Sequence, residues 1–171
     1  AFVIPTGSMQ PLLQPGDRVL VWRLPVWTDD VRRGDVVVFD GTDVFADEGD
    51  FAKRVIGLAG DRVACCGPAG AVLLNGRPIE EPYLYPGDRP SDVRFDVVVP
   101  PGRLWVMGDH RSVSADSRAF LGRPGGGMVP EDRLVGRVAA VVWPLDRLGG
   151  VGRTELDVAR QATPALPERT P

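Results

Sequence analysis

Glycine and proline punctuate this chain at short intervals, and the apolar residues between them come in runs too brief for anything but strands. The 21 Gly and 17 Pro among 171 residues are spread between Val-rich segments, not gathered into one low-complexity tract. That distribution predicts many short strands joined by turns, not helices. Arg18-Val19-Leu20-Val21-Trp22 follows Pro15-Gly16-Asp17, and Val36 to Phe39 follows Arg33-Gly34-Asp35. Further strands are expected over Phe51 to Gly57, Arg62 to Cys65, Leu104 to Met107 and Leu134 to Trp143, the last stopped by Pro144. The sharpest hairpin signal is Val72-Leu73-Leu74, the Asn75-Gly76 turn and Arg77-Pro78-Ile79. The expected fold is mainly β: an antiparallel core with a smaller β-rich insertion.

The polar and turn-rich stretches divide the chain further. Residues 1–61 and 104–148 are expected to form the core, 62–103 the smaller insertion, and 149–171 a polar tail with a short helix candidate at Glu155 to Arg160. Residues 40–50 are acidic and read as a solvated loop; residues 80–92 read as an extended connection. The longest apolar run, Val138 to Trp143, is far short of the roughly 20 residues of a membrane span. The chain begins at Ala1 without an initiator Met, so an upstream segment such as a membrane anchor is compatible with it. Charges of both signs are interspersed and sum to -3, which argues against nucleic-acid binding. Cys65 and Cys66 are neighbours that close no useful loop, and they read as free thiols. Two Cys and one His are a weak metal inventory, and no cofactor is expected.

Pro5-Thr6-Gly7-Ser8-Met9-Gln10-Pro11 presents one serine hydroxyl on a short, stiff turn. The prolines fix the backbone, and Gly7 is expected to adopt a conformation that a side chain would forbid. Alone this is an ordinary turn. Its significance depends on a partner, and Lys53 is the leading candidate. On a period-two strand Phe51, Lys53, Val55 and Gly57 share one face, and Arg54 points the other way. If that face is buried, keeping the amine neutral near pH 7.5 corresponds to about 4 kcal/mol of differential stabilisation. A fold that retains such a cost has a use for it: neutral lysine is a general base, and Ser–Lys is an alternative to Ser–His–Asp.

The stretch Gly108 to Arg118 is too polar for a core strand and carries complementary ions in Asp109, Arg111, Asp116 and Arg118. Such ions brace an irregular loop, and its serines, Ser114 above all, are placed to orient a catalytic group. The bland alternative is a salt-bridged surface loop. His110, the only histidine, leaves a Ser–His–Asp arrangement open, although a histidine between Asp109 and Arg111 is more readily structural. Gly57-Leu58-Ala59-Gly60 lacks the spacing and the Lys-Ser/Thr of a phosphate loop. Trp27, beside Pro25-Val26, is suited to a membrane interface.

Three segments together resemble the bacterial type I signal peptidases, membrane-anchored serine proteases. They are Ile4 to Leu13, Lys53 to Asp61, and Met107 to Arg118, in that family's order with compatible spacing over about residues 2 to 148. The resemblance implies Ser8 as nucleophile and Lys53 as general base. It implies an oxyanion hole from the Ser8 N–H and the Thr6 hydroxyl, a lysine-orienting role for Ser114, and an Asp116–Arg118 support. It further implies cleavage of signal peptides from exported preproteins after small residues at P1 and P3, and no cofactor. The expected setting is the bacterial cytoplasmic membrane, with the catalytic domain on the extracytoplasmic face, against lipid, as a monomer. His110 stands where that family usually has Asn, and Ala59 replaces a usual Pro. The rival readings are a self-cleaving repressor-type Ser–Lys peptidase and a β-rich binding module without activity.

Overall fold

Val36-Val37-Val38-Phe39 is branched or aromatic at every position, which suits a strand packed on both faces. It lies in the middle of the larger sheet of the computed structural model, which describes residues 1–23, 31–45 and 49–156. The strands are β1 (Phe2–Val3), β2 (Arg18–Trp22), β3 (Val36–Asp40), β4 (Asp50–Gly57), β5 (Arg62–Cys65) and β6 (Val72–Leu74). They continue as β7 (Arg77–Pro78), β8 (Phe95–Val98), β9 (Arg103–Met107), β10 (Val129–Pro130), β11 (Leu134–Trp143) and β12 (Gly149–Gly150). Helical structure among the described residues is confined to short 3-10 turns.

Eight strands form one sheet in the order β1-β2-β11-β3-β4-β9-β10, with β12 paired to β11, and four form a second in the order β7-β6-β5-β8. The pairings are antiparallel throughout, so the mainly β expectation holds. The hairpin joining β6 and β7 turns at Asn75 and Gly76, with φ of 52° and 81°. Both central residues are left-handed, as a two-residue turn matching the strand twist requires.

The alternation of β3 divides the core of the larger sheet. Val36 and Val38 pack with Ile4, Met9, Leu13 and Val138, and Val37 and Phe39 pack with Val55, Leu104 and Val106. A third cluster joins the two sheets, with Ile56, Trp105 and Met107 against Val63, Val72 and Phe95.

Several expectations need correction. Val44 and Phe45 of the acidic loop are buried, because Phe45 packs edge-on against Phe39 and Phe51 and stacks on Phe120. Four aromatic rings recover enough apolar area to anchor a loop whose other side chains are polar. Residues 149–156, read as the start of a tail, lie against the sheet: β12 pairs with β11, Val151 is buried and Arg153 donates to both oxygens of Asp35. Glu155 and Leu156 are not helical; the rest of that helix candidate, and Trp27, lie outside the described residues. Cys65 and Cys66 are joined by a disulfide across a cis peptide bond, not free.

Candidate active site

The turn at Gly7–Met9 is a single 3-10 turn, closed by Gln10 N–H donating to Gly7 O at 3.1 Å. It buries Ser8 and Met9 between two exposed residues, Pro5 and Pro11. Gly7 is not in the left-handed region, and the nearest neighbour of an added Cβ is the flexible Gln10 side chain at 2.6 Å. The expectation of a glycine-only conformation there is corrected. Gly108, by contrast, has no room for a side chain: an added Cβ would come within 2.5 Å of the Ser8 carbonyl oxygen and 2.2 Å of Ser114 Oγ. That close approach seats the Gly108 to Arg118 loop on the serine turn.

β4 supplies the lysine. Lys53 is directly opposite Val37, and Phe51 opposite Phe39, so both lie on an apolar face, and Lys53 is 3 % exposed. Its Nζ stands 2.7 Å from Ser8 Oγ. Burial lowers the amine pKa to about 8, with Arg118 pushing the same way and Asp116 and Asp109 pulling back. The opposite face of β4 is buried as well, and Arg54 is 1 % exposed. That cation is balanced by Asp109, which accepts from Arg54 Nε at 2.8 Å and Nη2 at 2.6 Å. Arg54 also donates to Gly34 O at 2.8 Å and to Thr154 Oγ1 at 3.1 Å.

The four ions of the loop do not pair as their order suggests. Asp116 and Arg118 do pair, with Arg118 Nη2 at 2.8 Å and Nε at 2.9 Å. Asp116 also accepts from Gly108 N–H at 2.9 Å. Burial works to raise the Asp116 pKa, but these donors outweigh it and hold the carboxyl below its ordinary value. Asp109 instead joins Arg54, and Arg111 joins Glu81 while donating from Nε to Gly108 O at 2.9 Å. Tyr83 lies under the Arg54 guanidinium, 4.1 Å from it, and its hydroxyl donates to Glu81 at 2.9 Å. Burial, then the Glu81 charge, holds the Tyr83 pKa well above its ordinary value. Glu81 and Tyr83 carry no local signal of a site in the sequence, and Arg54 stands there only as the residue facing away from Lys53, within the Lys53 to Asp61 segment.

Thr6 is exposed, with Oγ1 3.3 Å from Ser8 Oγ. Ser114 Oγ is buried without a hydrogen-bond partner among the described residues, so the bond to Lys53 expected of it is not made here. It stays close enough to Asp116 to help hold that carboxyl down. His110 is not bonded to Ser8 Oγ: its ring Nδ1 faces Gly7 O at 3.3 Å and the ring stacks on Tyr85. A cleft of about 500 Å³ opens onto Ser8 and Lys53, walled by Phe2 to Met9 on one side and Gly49 to Lys53 on the other. Val113 and Ala115 also line it.

Residues 1–143 match the family model described as signal peptidase, peptidase S26. The chain belongs to the signal peptidase family. A probable signal peptidase I of Mycobacterium leprae is 34 % identical, with the alignment covering 88 % of this chain and 71 % of that protein. Signal peptidase I of Leptolyngbya laminosa is 37 % identical over 87 % of this chain and 71 % of its own. A crystal structure of a signal peptidase I from Enterococcus faecalis superposes with a TM-score of 0.51 at 25 % identity, covering 64 % of this chain and 97 % of that one. The chain is therefore a peptidase of the signal peptidase family. Among the described residues no helix is long and apolar enough to cross a membrane.

Proposed function

We propose that this protein cleaves signal peptides from exported preproteins by a Ser8–Lys53 mechanism. The observation that carries it is the 2.7 Å contact between Lys53 Nζ and Ser8 Oγ, at the mouth of a cleft and shielded from water. A lysine with a pKa of about 8 is one part in ten neutral near pH 7, enough for a general base. The neutral amine takes the Ser8 proton as Oγ bonds to the scissile carbonyl carbon. The π pair moves to the carbonyl oxygen, where the Ser8 N–H and the Thr6 hydroxyl donate to it. One such donor is worth about 3 kcal/mol. Collapse breaks the C–N bond, and the lysine ammonium returns its proton to the leaving amine. Water then repeats the sequence on the acyl-Ser8 ester.

Ser114 is assigned to orient the amine. Its buried hydroxyl stands beside the serine turn and within reach of Asp116, bonded to neither Ser8 nor Lys53, and is placed to accept from the amine. Asp116 with Arg118, and Asp109 and Arg111 through their outside partners, hold that loop in place.

The substrate lies extended in the cleft. β1 is an edge strand, and on its β9 side β4 is paired only from Arg54 onward, so Asp50 to Lys53 offers backbone groups to an added strand. We assign P1 and P3 to the apolar part of the wall, which includes Ile4, Val38 and Phe51, and expect small side chains there.

Val3, Leu20, Trp22 and Trp143, on β1, β2 and β11, and Leu145 and Leu148, just after β11, are exposed apolar side chains on the β1–β2–β11 side of the larger sheet. We assign this patch to the bilayer surface, as a monomer on the extracytoplasmic face of the bacterial cytoplasmic membrane. The test is intact mass after a serine-directed acylating inhibitor, followed by cleavage of a lipid-embedded preprotein. The native chain gains one adduct and cuts; Ser8→Ala does neither. An adduct on Ser8→Ala, or cleavage by it, sinks the assignment.

A further inference from the structure

His110 plays no part in the mechanism above, yet it reaches the serine turn through two contacts. Its backbone N–H donates to Ser8 O at 3.0 Å, and its ring Nδ1 lies 3.3 Å from Gly7 O. A carbonyl oxygen only accepts, so Nδ1 carries the hydrogen in this contact. The ring is held in plane by Tyr85, centroid to centroid 3.8 Å at an interplanar angle of 10°. Tyr85 is fixed in turn by its own N–H, which donates to Asp109 O at 3.0 Å. The imidazole is thus aimed at one carbonyl by a stack behind it.

That carbonyl shares a peptide unit with the Ser8 N–H. The unit is trans and planar, so the Gly7 C=O and the Ser8 N–H point in opposite directions. Fixing the oxygen fixes the direction of the N–H. Gly7 O already accepts from Gln10 N–H at 3.1 Å, and the imidazole takes its remaining lone pair. Hydrogen bonds to a carbonyl polarise its amide and make the N–H a stronger donor.

The geometry points to His110 as a positioning residue that aims and polarises the Gly7–Ser8 peptide as the oxyanion donor, with Tyr85 holding its ring. This rests on the reading of Ser8 as nucleophile. Its consequence lies in the transition state, because the charge that the N–H meets exists only there. Removing an oxyanion donor outright costs about 10²–10³ in kcat, and weakening one by loss of its support is expected to cost about tenfold.

Three variants separate hydrogen bonding from packing. His110→Phe keeps an aromatic ring on Tyr85 but donates nothing; His110→Ala loses both; His110→Asn keeps a donor. The full chain is assayed on a signal-peptide substrate, and affinity is measured for a peptide aldehyde, whose hemiacetal oxygen occupies the oxyanion site. His110→Phe and His110→Ala are expected to lose about tenfold in kcat, with KM within about twofold and a parallel loss of aldehyde affinity. His110→Asn is expected to recover most of that loss. Native turnover in His110→Phe overturns the inference, as does a variant that raises KM alone. Ser8→Ala keeps the two readings apart. If it is inactive while His110→Phe is unimpaired, only the role of His110 fails; if Ser8→Ala still cuts, the nucleophile fails and the inference goes with it.

Discussion

Lys53 and Arg54 are consecutive cations of one strand, both almost fully buried, and the protein treats them in opposite ways. Arg54 closes on Asp109 through two hydrogen bonds and keeps its charge compensated. Lys53 faces a hydroxyl instead, and its pKa falls to about 8. An uncompensated buried charge persists only where something else requires it, so the pair separates a structural cation from a chemical one.

Lys53→Met follows from that contrast. The side chains are of similar length, and the native one costs stability when charged. The folded pKa of about 8 lies below the ordinary 10.5, so below about pH 8 both folded and unfolded states hold the proton and the burial penalty is felt in full. As pH rises toward 10.5 the unfolded state loses its proton too, and the penalty disappears. Lys53→Met is expected to be inactive and more stable than the native chain by about 3 kcal/mol at pH 7, with the gain shrinking across that window. Chemical denaturation at several pH values checks it; a gain independent of pH would show that Lys53 is not desolvated.

The same amine sets an acid limb on activity. With the base charged at low pH, kcat/KM is expected to rise about tenfold per pH unit below the limb and to level off above a free-enzyme pKa of about 8. Initial rates from pH 6 to 10 locate it. A limb near pH 6.5 would point to a histidine and revive His110 as base.

How much of this was legible follows the kind of signal. The strands carried their own composition: Val36 to Phe39, Arg18 to Trp22 and Leu134 to Trp143 each stand where Gly or Pro bounded an apolar run. Lys53 was legible because strand alternation is local. The partners of Asp109 and Arg111 were not, since Arg54 is 55 residues from Asp109 and Glu81 is 30 from Arg111. Charge order along a loop says nothing about ions arriving from another strand. Phe45 was hidden for a similar reason: its neighbours Asp43, Asp47 and Glu48 dominate a local reading, and the rings it meets lie on β3, β4 and the turn at Phe120. The docking of residues 149–156 begins with the pairing of Gly149 and Gly150, which carry no strand signal at all, and is completed by Val151, Arg153 and Thr154, whose partners are distant in sequence.

Thr6 isolates the oxyanion donor from the fold. Its side chain is exposed, and the contact from Oγ1 to Ser8 Oγ, at 3.3 Å, is long for a hydroxyl pair. Thr6→Val removes the hydroxyl at nearly constant shape, so stability is expected to stay within about 0.5 kcal/mol while kcat falls about 100-fold. Steady-state kinetics beside a thermal melt checks both halves. Unchanged turnover would remove Thr6 from the site.

Asp116 tests whether the loop tunes the lysine or merely supports it. Its carboxylate raises the Lys53 pKa, and Arg118 lowers it. Asp116→Asn deletes the first influence and leaves the second, while the amide oxygen can still accept from Gly108 N–H. The acid limb of kcat/KM is therefore expected to move to lower pH than in the native chain. The cost falls on stability, because Arg118 is left buried without its ion partner, a loss of about 3–5 kcal/mol. Replacing Arg118 by Leu as well removes both influences, and the limb is expected to return toward its native position. The double variant is expected to regain stability relative to Asp116→Asn, since no unpaired charge remains. A limb that stays fixed in Asp116→Asn, with stability lost as described, would mean that the pair holds the loop but has no electrostatic say in the base.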